Sequence, residues 1–461
     1  MMRLCFGKGV MHMAQDMTKG KPLRLMVMFA LPLALSSVLQ QLYSVCDSMI
    51  VGQLFGPEAF AAIGSSSYLD WFPLSMLIGL SQGFGVVLAQ RFGAKDERGF
   101  RRALAMSLLI AALVAMLLTV LGISFQGPFL RLLKTPEALF GYTAAYLRVL
   151  WLGLTVTAVQ NVLGAALRAL GDSRTPFVSL IVSTALNIVL DYLLMAGLHM
   201  GVEGAALATV CSRAGSIAYC AWKLRRVPFA MPARADTRLH GPTIRELLRM
   251  GIPPLLSFSI TATGELAVQA AFNVCGVVFV TGMTAAKRYY SLLTVAGSAL
   301  EGAVATFVGQ NTGAKQIRRV LEGTRVAVWA GMLAAATTTA VVVLFRRQLI
   351  QLFLPPGNEE AFQIGMDALR IEALYLCGLY LLCLHRAAIQ GMGNAVVPML
   401  SGFLELALRF ACVWALPLLF ARKGLYYINA ITWAGTAAML MIVYYTTRRR
   451  ILAKLALREA G

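Results

Sequence analysis

Six carboxylates stand inside long apolar runs of the sequence: Asp47, Asp191, Glu265, Glu301, Glu372 and Glu405. Asp70 and Glu203 lie nearer the ends of such runs. A charge near the middle of a bilayer costs at least ~2.5–3.5 kcal/mol, so acids placed there are functional candidates by default. Two of the six have polar company. Gln40, Tyr43 and Asp47 recur at i, i+3 and i+7, on one helical face, and Asn187 precedes Asp191 by one turn. With Thr209 added, two carboxylates, an amide, a hydroxyl and a phenol can exchange protons or hold Na⁺ through hard oxygen ligands. Glu265 and Glu301 are candidates to face a cavity and attract a cationic substrate. Glu405 and Arg409 stand at i, i+4, the spacing of a structural ion pair. Glu372 lies two residues from Arg370 and faces elsewhere. Lys287 and Arg288 are basic residues within an apolar run, and Pro32 permits a kink and is a candidate hinge.

Other chemistries lack residues at useful spacing. The eight cysteines include no CxxC pair, and the four histidines, His12, His199, His240 and His385, are scattered with no HExxH. A disulfide framework, a zinc or haem site and a membrane-embedded enzyme are therefore not supported. The sequence implies no cofactor beyond H⁺ or Na⁺ as a coupling ion.

The elements that must position these acids are membrane helices. Of 461 residues, 58% are hydrophobic and 13% charged, against about 25% charged in an average soluble domain. Mean hydropathy is +0.71. A helix needs about 20 mostly apolar residues to span a bilayer. Twelve runs qualify, near 25–54, 60–90, 103–124, 141–167, 175–197, 201–222, 250–274, 281–309, 325–345, 364–386, 397–420 and 424–446. They are too long, and too little alternating, for barrel strands. With the N-terminus inside, most of the 41 Lys and Arg fall on inner segments. Arg131, Lys134, Arg346, Arg347, Arg422 and Lys423 fall outside. That asymmetry predicts both termini in the cytoplasm and removes any need for nucleic acid to explain the net charge of +20. Residues 1–24 read as a cytoplasmic tail rather than a cleavable signal. In this frame Asp47, Asp191 and Thr209, on spans 1, 5 and 6, all lie roughly 10 Å below the outer surface.

The two halves repeat. Leu31-Pro32 recurs as Ile252-Pro253, Gln90 through Lys95 as Gln310 through Lys315, Arg148 as Arg370, and Gly171 through Pro176 as Gly393 through Pro398. The offset stays near about 221 residues, beyond chance for several matches. Each repeat holds six spans, so both keep one orientation about an axis along the membrane normal. The expected architecture is all-α. An N-lobe at 25–223 and a C-lobe at 250–446 are related by a pseudo-two-fold axis, joined by a basic linker at 224–249 and followed by a basic tail at 447–461. Two lobes that meet at a seam make the cavity of a secondary carrier.

These residues resemble a family. Leu31-Pro32, Leu42 through Asp47 and Val51-Gly52 are similar to the first span of multidrug and toxic compound extrusion (MATE) transporters. Gly171 through Pro176, Asn187 through Asp191, Gly201 through Ala206, Ala208-Thr209, Val308 through Asn311 and Glu405-x-x-x-Arg409 fit as well. The resemblance runs from about residue 25 to 446, across the multidrug/oligosaccharidyl-lipid/polysaccharide flippase superfamily fold. It implies secondary active export of organic, mainly cationic, compounds in exchange for H⁺ or Na⁺, by alternating access of two lobes. It implies an ion site at Asp47, Asn187, Asp191 and Thr209, with Gln40 and Tyr43 beside it and Asn161 on span 4 at a matching polar position. It further implies a functional monomer in the inner membrane of a bacterium, with small organic molecules and lipids as partners. A lipid-linked saccharide flippase is the alternative within the same fold. It would want a cationic cavity, which Lys287 and Arg288 keep open and the acids of spans 1 and 5 oppose. A channel is the alternative from another class.

Overall fold

The computed structural model describes residues 15–132, 137–354 and 358–460, without the side chains of 44–48, most of 52–68 and 454–460, or those of Leu132, Ala138 and Leu266. Every regular element among them is helical. The chain runs α1 (Pro22–Gly93), α2 (Glu97–Leu132), α3 (Glu137–Leu152), α4 (Leu154–Ala169), α5 (Arg174–Asp191) and α6 (Val202–Arg225), then α7 (Gly241–Val274), α8 (Val277–Gly313), α9 (Ile317–Phe353), α10 (Glu359–Leu374), α11 (Leu376–Gly391), α12 (Val396–Phe420) and α13 (Ile428–Ala460).

Eight helical runs are long and apolar enough to cross a membrane, or ten when the bent pairs α3–α4 and α10–α11 each count as one span. Twelve were expected. The count falls short because α6 does not qualify and because Val396–Ala453 counts as one run of 58 residues. At 1.5 Å per residue that run is about three bilayer cores long, and a 3₁₀ segment at Ala421–Tyr427 interrupts it, so α12 and α13 are separate crossings by length. The break expected between spans 1 and 2 is absent. Helical backbone continues through α1, with separate apolar runs at Pro22–Tyr43 and Leu69–Gly93.

The helix ends carry the repeat. Lys95 and Lys315 take positive φ (57° and 59°), as do Gly171 and Gly393 (81° and 91°), and His199 and Ala421 (53° and 48°). Asp96, Asp172, Gln316 and Asn394 each donate a backbone N–H to the carbonyl five residues back, so the helices before them close in Schellman caps. Asp96 Oδ1 then accepts from Gly99 N (2.8 Å) and starts α2. Asp172 Oδ1 accepts from Thr175 N (2.9 Å), and Asn394 Oδ1 from Val397 N (3.2 Å), at matched places. The bends match too, 48° at Gly153 and 42° at Tyr375. A Cβ on Gly153 would meet Val210 Cγ2 at 2.3 Å, so only glycine allows α6 to approach that bend.

The chain forms two compact units. The first takes in Leu35–Leu255 and the second Thr18–Ala34 with Leu256–Gly461, so α1 and α7 are each shared between units. In the first unit, Ile50 and Val51 of α1 pack with Tyr146 and Leu150 of α3, Met195, and Val202, Ala205 and Ala206 of α6. The basic linker is folded onto this unit. Phe229 lies against Phe92 and Phe100, with ring centroids 6.2 and 6.0 Å away. Arg101 Nε donates to the buried Asp236 (2.9 Å), and Arg91 pairs with both Asp96 and Glu246. In the second unit, Tyr380 Oη donates to Leu293 O (3.0 Å), Trp433 stacks on Tyr290, and Leu33 meets Gly302 of α8.

Candidate functional site

In the first unit the predicted residues form two described pairs, Asn187 with Asp191 along α5 and Tyr43 with Thr209 between α1 and α6. Asn187, Asp191 and Thr209 are 0%, 0% and 5% exposed. Asn187 Nδ2 reaches Asp191 Oδ1 at 3.5 Å along one turn of α5. Tyr43 Oη and Thr209 Oγ1 lie 3.2 Å apart, which ties α1 to α6. Asp47 stands one turn beyond Tyr43 and just before Ile50 and Val51, both packed on α6, but its side chain lies outside the described residues. Cys5, Cys46 and His12 also fall there. A π-helical turn at Tyr192–Gly197 follows Asp191 directly and widens the helix at the end that carries the acid.

Not every predicted residue joins this cluster. Gln40 is exposed on α1. Asn161 is half-buried on α4, and its amide nitrogen has no hydrogen-bond partner among the described residues. Pro32 belongs to the second unit, where the neighbouring Leu33 packs on α8. Glu265 and Glu301 are half-buried in the second unit. Glu301 lies near the Cys383 thiol and the Arg386 guanidinium. Lys287 and Arg288 are exposed on α8.

The Glu405–Arg409 pair forms at 3.0 Å, fully within the second unit. It has a third member from another helix: Arg386 Nη2 donates to Glu405 Oε2 at 3.2 Å. One carboxylate thus spans two guanidinium groups. Glu372 accepts from Asn429 Nδ2 (3.2 Å) instead of pairing with Arg370. Among the described residues no three His, Cys, Asp or Glu side chains come together as a metal site.

The sequence reading missed the polar layer beneath the cluster. Arg213 Nη1 donates to Thr157 Oγ1 (2.6 Å), and Gln160 Nε2 donates to Ser216 Oγ (3.0 Å), joining α4 to α6. The signal was available: Thr157 and Gln160 stand at i, i+3 within one apolar run, and Arg213 and Ser216 at i, i+3 within another.

The MatE family model matches residues 32–193 and again 253–414. The probable multidrug resistance protein YpnP of Bacillus subtilis (strain 168) is 32% identical over 359 residues, covering 76% of this chain and 78% of that protein. The probable multidrug resistance protein YoeA of the same organism is 29% identical over 348 residues, covering 74% and 75%. A crystal structure of MATE in the bent conformation superposes with a TM-score of 0.86 at 22% identity, covering 99% of this chain and all of that one. That likeness shows the fold.

Proposed function

The chain belongs to the MATE family of transporters in the MOP superfamily, and from that premise we propose that it is a secondary active exporter of organic cations. It is a multi-pass membrane protein of a non-enzymatic family. In our reading both termini face the cytoplasm, the membrane is the inner membrane of a bacterium, and the functional unit is a monomer. The relatives named above as probable multidrug resistance proteins support small-molecule drugs as substrates. The predicted lobes, 25–223 and 250–446, are the moving parts in this account, and Glu265 and Glu301 attract the substrate's positive charge.

The observation that carries the coupling assignment is the Asn187–Asp191 pair, wholly buried on α5. A carboxylate withdrawn from water on a membrane helix is expensive unless it binds and releases something. Asp191 with Asn187, Thr209 and Asp47 binds H⁺ or Na⁺ in one facing of the carrier, and substrate binds in the other. Differential binding to the two states couples the fluxes.

The test uses purified protein in liposomes loaded with a fluorescent organic cation. Imposed proton and sodium gradients should each be tried. Transport under one gradient and not the other identifies the ion. Equal transport with and without both gradients excludes a coupled carrier.

A further inference from the structure

Helix α5 buries five side chains: Thr175, Ser179, Ser183, Asn187 and Asp191. They recur every fourth residue, so they form one row from the first turn of the helix to its last. All five are polar, while Val178, Ile181, Val182 and Val189 are exposed. The facing helix α6 buries Thr209, Ser212, Ser216 and Cys220 among alanines. The two rows join. Cys220 lies near Ser179 and Ser216, Ser179 Oγ donates to Pro176 O (2.8 Å), and Gln160 donates to Ser216. At one end lie Asp191 and Asn187. At the other, Thr175 Oγ1 donates to Asp172 Oδ2.

Small polar residues also serve close packing between membrane helices. Two observations go beyond packing. The repeat supplies an internal control: the buried face of α13, the counterpart of α6, holds Trp433, Ala437 and Leu440 beside Thr432 and Thr436, where α6 holds Thr209, Ser212, Ser216 and Cys220. Asn394 does the capping work of Asp172 with no charge. The matched row on α12, from Val397 to Val413, is interrupted by the Glu405–Arg409 ion pair. Only the first half carries an uncharged polar file between two carboxylates. The second observation lies in the file itself: the Asn187 amide oxygen is fully buried and has no hydrogen-bond partner among the described residues. A buried acceptor left so costs about 1–3 kcal/mol, and a water or hydroxyl that enters the file relieves it.

We propose that the α5–α6 seam is a proton route between Asp191 and the cytoplasmic end of the helices at Asp172. The proposal rests on the coupling role assigned to Asp191. Protonated Asp191 gives its proton to the file. Each hydroxyl or water accepts one proton on a lone pair and releases its own to the next, so the file ends unchanged, Asp191 is left as a carboxylate and the proton leaves at Asp172. The proton then reaches the cytoplasm without entering the substrate's path.

Ser183→Val and Ser183→Thr test this directly, since the two side chains have one shape and differ by the hydroxyl. The assay follows internal pH and efflux of a fluorescent organic cation in liposomes, in H₂O and D₂O, with equilibrium binding of that cation measured in parallel. Ser183→Val should slow substrate-triggered proton movement about tenfold, with cation binding unchanged, and Ser183→Thr should restore the rate. Ser183→Ala combined with Ser216→Ala keeps the test open if the valine variant does not fold, and it should slow proton movement likewise. Wild-type rates and an unchanged D₂O effect in both hydroxyl-free variants would overturn the route. Asp191→Asn separates this from failure of the coupling assignment: if it abolishes coupling while the serine variants do nothing, only the route fails. If Asp191→Asn remains coupled, both fail.

Discussion

Glu405 shows how much rides on single charges in this molecule. Its two oxygens each hold a guanidinium, Arg409 at 3.0 Å and Arg386 at 3.2 Å, and all three side chains are largely out of solvent. Removing the carboxylate takes the ion-pair partner from Arg409 and one of the acids facing Arg386. Glu405→Gln should destabilise the folded protein by about 3–5 kcal/mol, read as a lower thermal midpoint or loss of monodisperse protein. Replacing Arg386, Glu405 and Arg409 together with methionine should restore most of that loss. If the single and triple variants melt alike, the three charges do not act on stability as one unit. Tyr43→Phe tests the other end of the scale. It removes one hydroxyl contact to Thr209 and should weaken binding of the coupling ion by about 1 kcal/mol, seen as a severalfold higher half-saturating concentration. At this scale the sequence was informative where spacing is local. The Asn187–Asp191 and Glu405–Arg409 pairs are one helical turn apart and could be read from the chain. The third partner, Arg386, could not. It comes from another helix, and no periodicity relates residues across a helix–helix contact.

At the scale of elements, the helix caps make a sharper prediction than the helix interiors. Lys95 and Lys315 hold left-handed backbone where Gly171 and Gly393 do so at the other cap pair. A side chain with a Cβ pays roughly 1–2 kcal/mol for that conformation. Lys95→Gly and Lys315→Gly should therefore each raise the thermal midpoint, and Gly393→Ala should lower it. A lower midpoint in either lysine variant would mean that these side chains make contacts worth more than the strain. The linker gives an element with a pH signature. Burial pushes the Asp236 carboxyl up, but the Ala233 amide and the Arg101 guanidinium outweigh it and hold it below the usual carboxylate range. Its contribution is present above the unfolded value, about 4, and is lost as pH falls through the lower folded value. Asp236→Asn should therefore be less stable than wild type at pH 7, with the gap closing under strong acid, as followed by thermal melts across pH. The linker's composition marked it as basic and proline-punctuated. Its docking through Phe229 between Phe92 and Phe100 depends on long-range contacts that composition does not encode. The bends at Gly153 and Tyr375 were likewise hidden. Each lies inside an apolar run, and only Gly153 is of a type that signals one.

For the whole molecule, the repeat was the most legible feature. The matches at Pro32 and Pro253, and at Gly171 and Gly393, carry over into paired caps, paired bends and two matches to one family model. The halves share a scaffold and differ in chemistry. Where the first unit has Ser183 and Asn187, the matched positions of the second hold Glu405 and Arg409. A duplicated scaffold with an acid–amide pair in one unit and an ion-paired triad in the other fits a carrier that keeps ion coupling in a single half. The most direct test is to measure substrate and coupling ion together. Liposomes containing the purified protein, with a fluorescent organic cation on one side and a proton or sodium reporter on the other, give both fluxes in one trace. Adding the cation on its own should drive a counter-flow of one ion at a fixed ratio, and Asp191→Asn should abolish the counter-flow while the cation still binds. Counter-flow that persists at the wild-type ratio in Asp191→Asn, or cation movement with no ion flux in the wild type, would contradict that coupling.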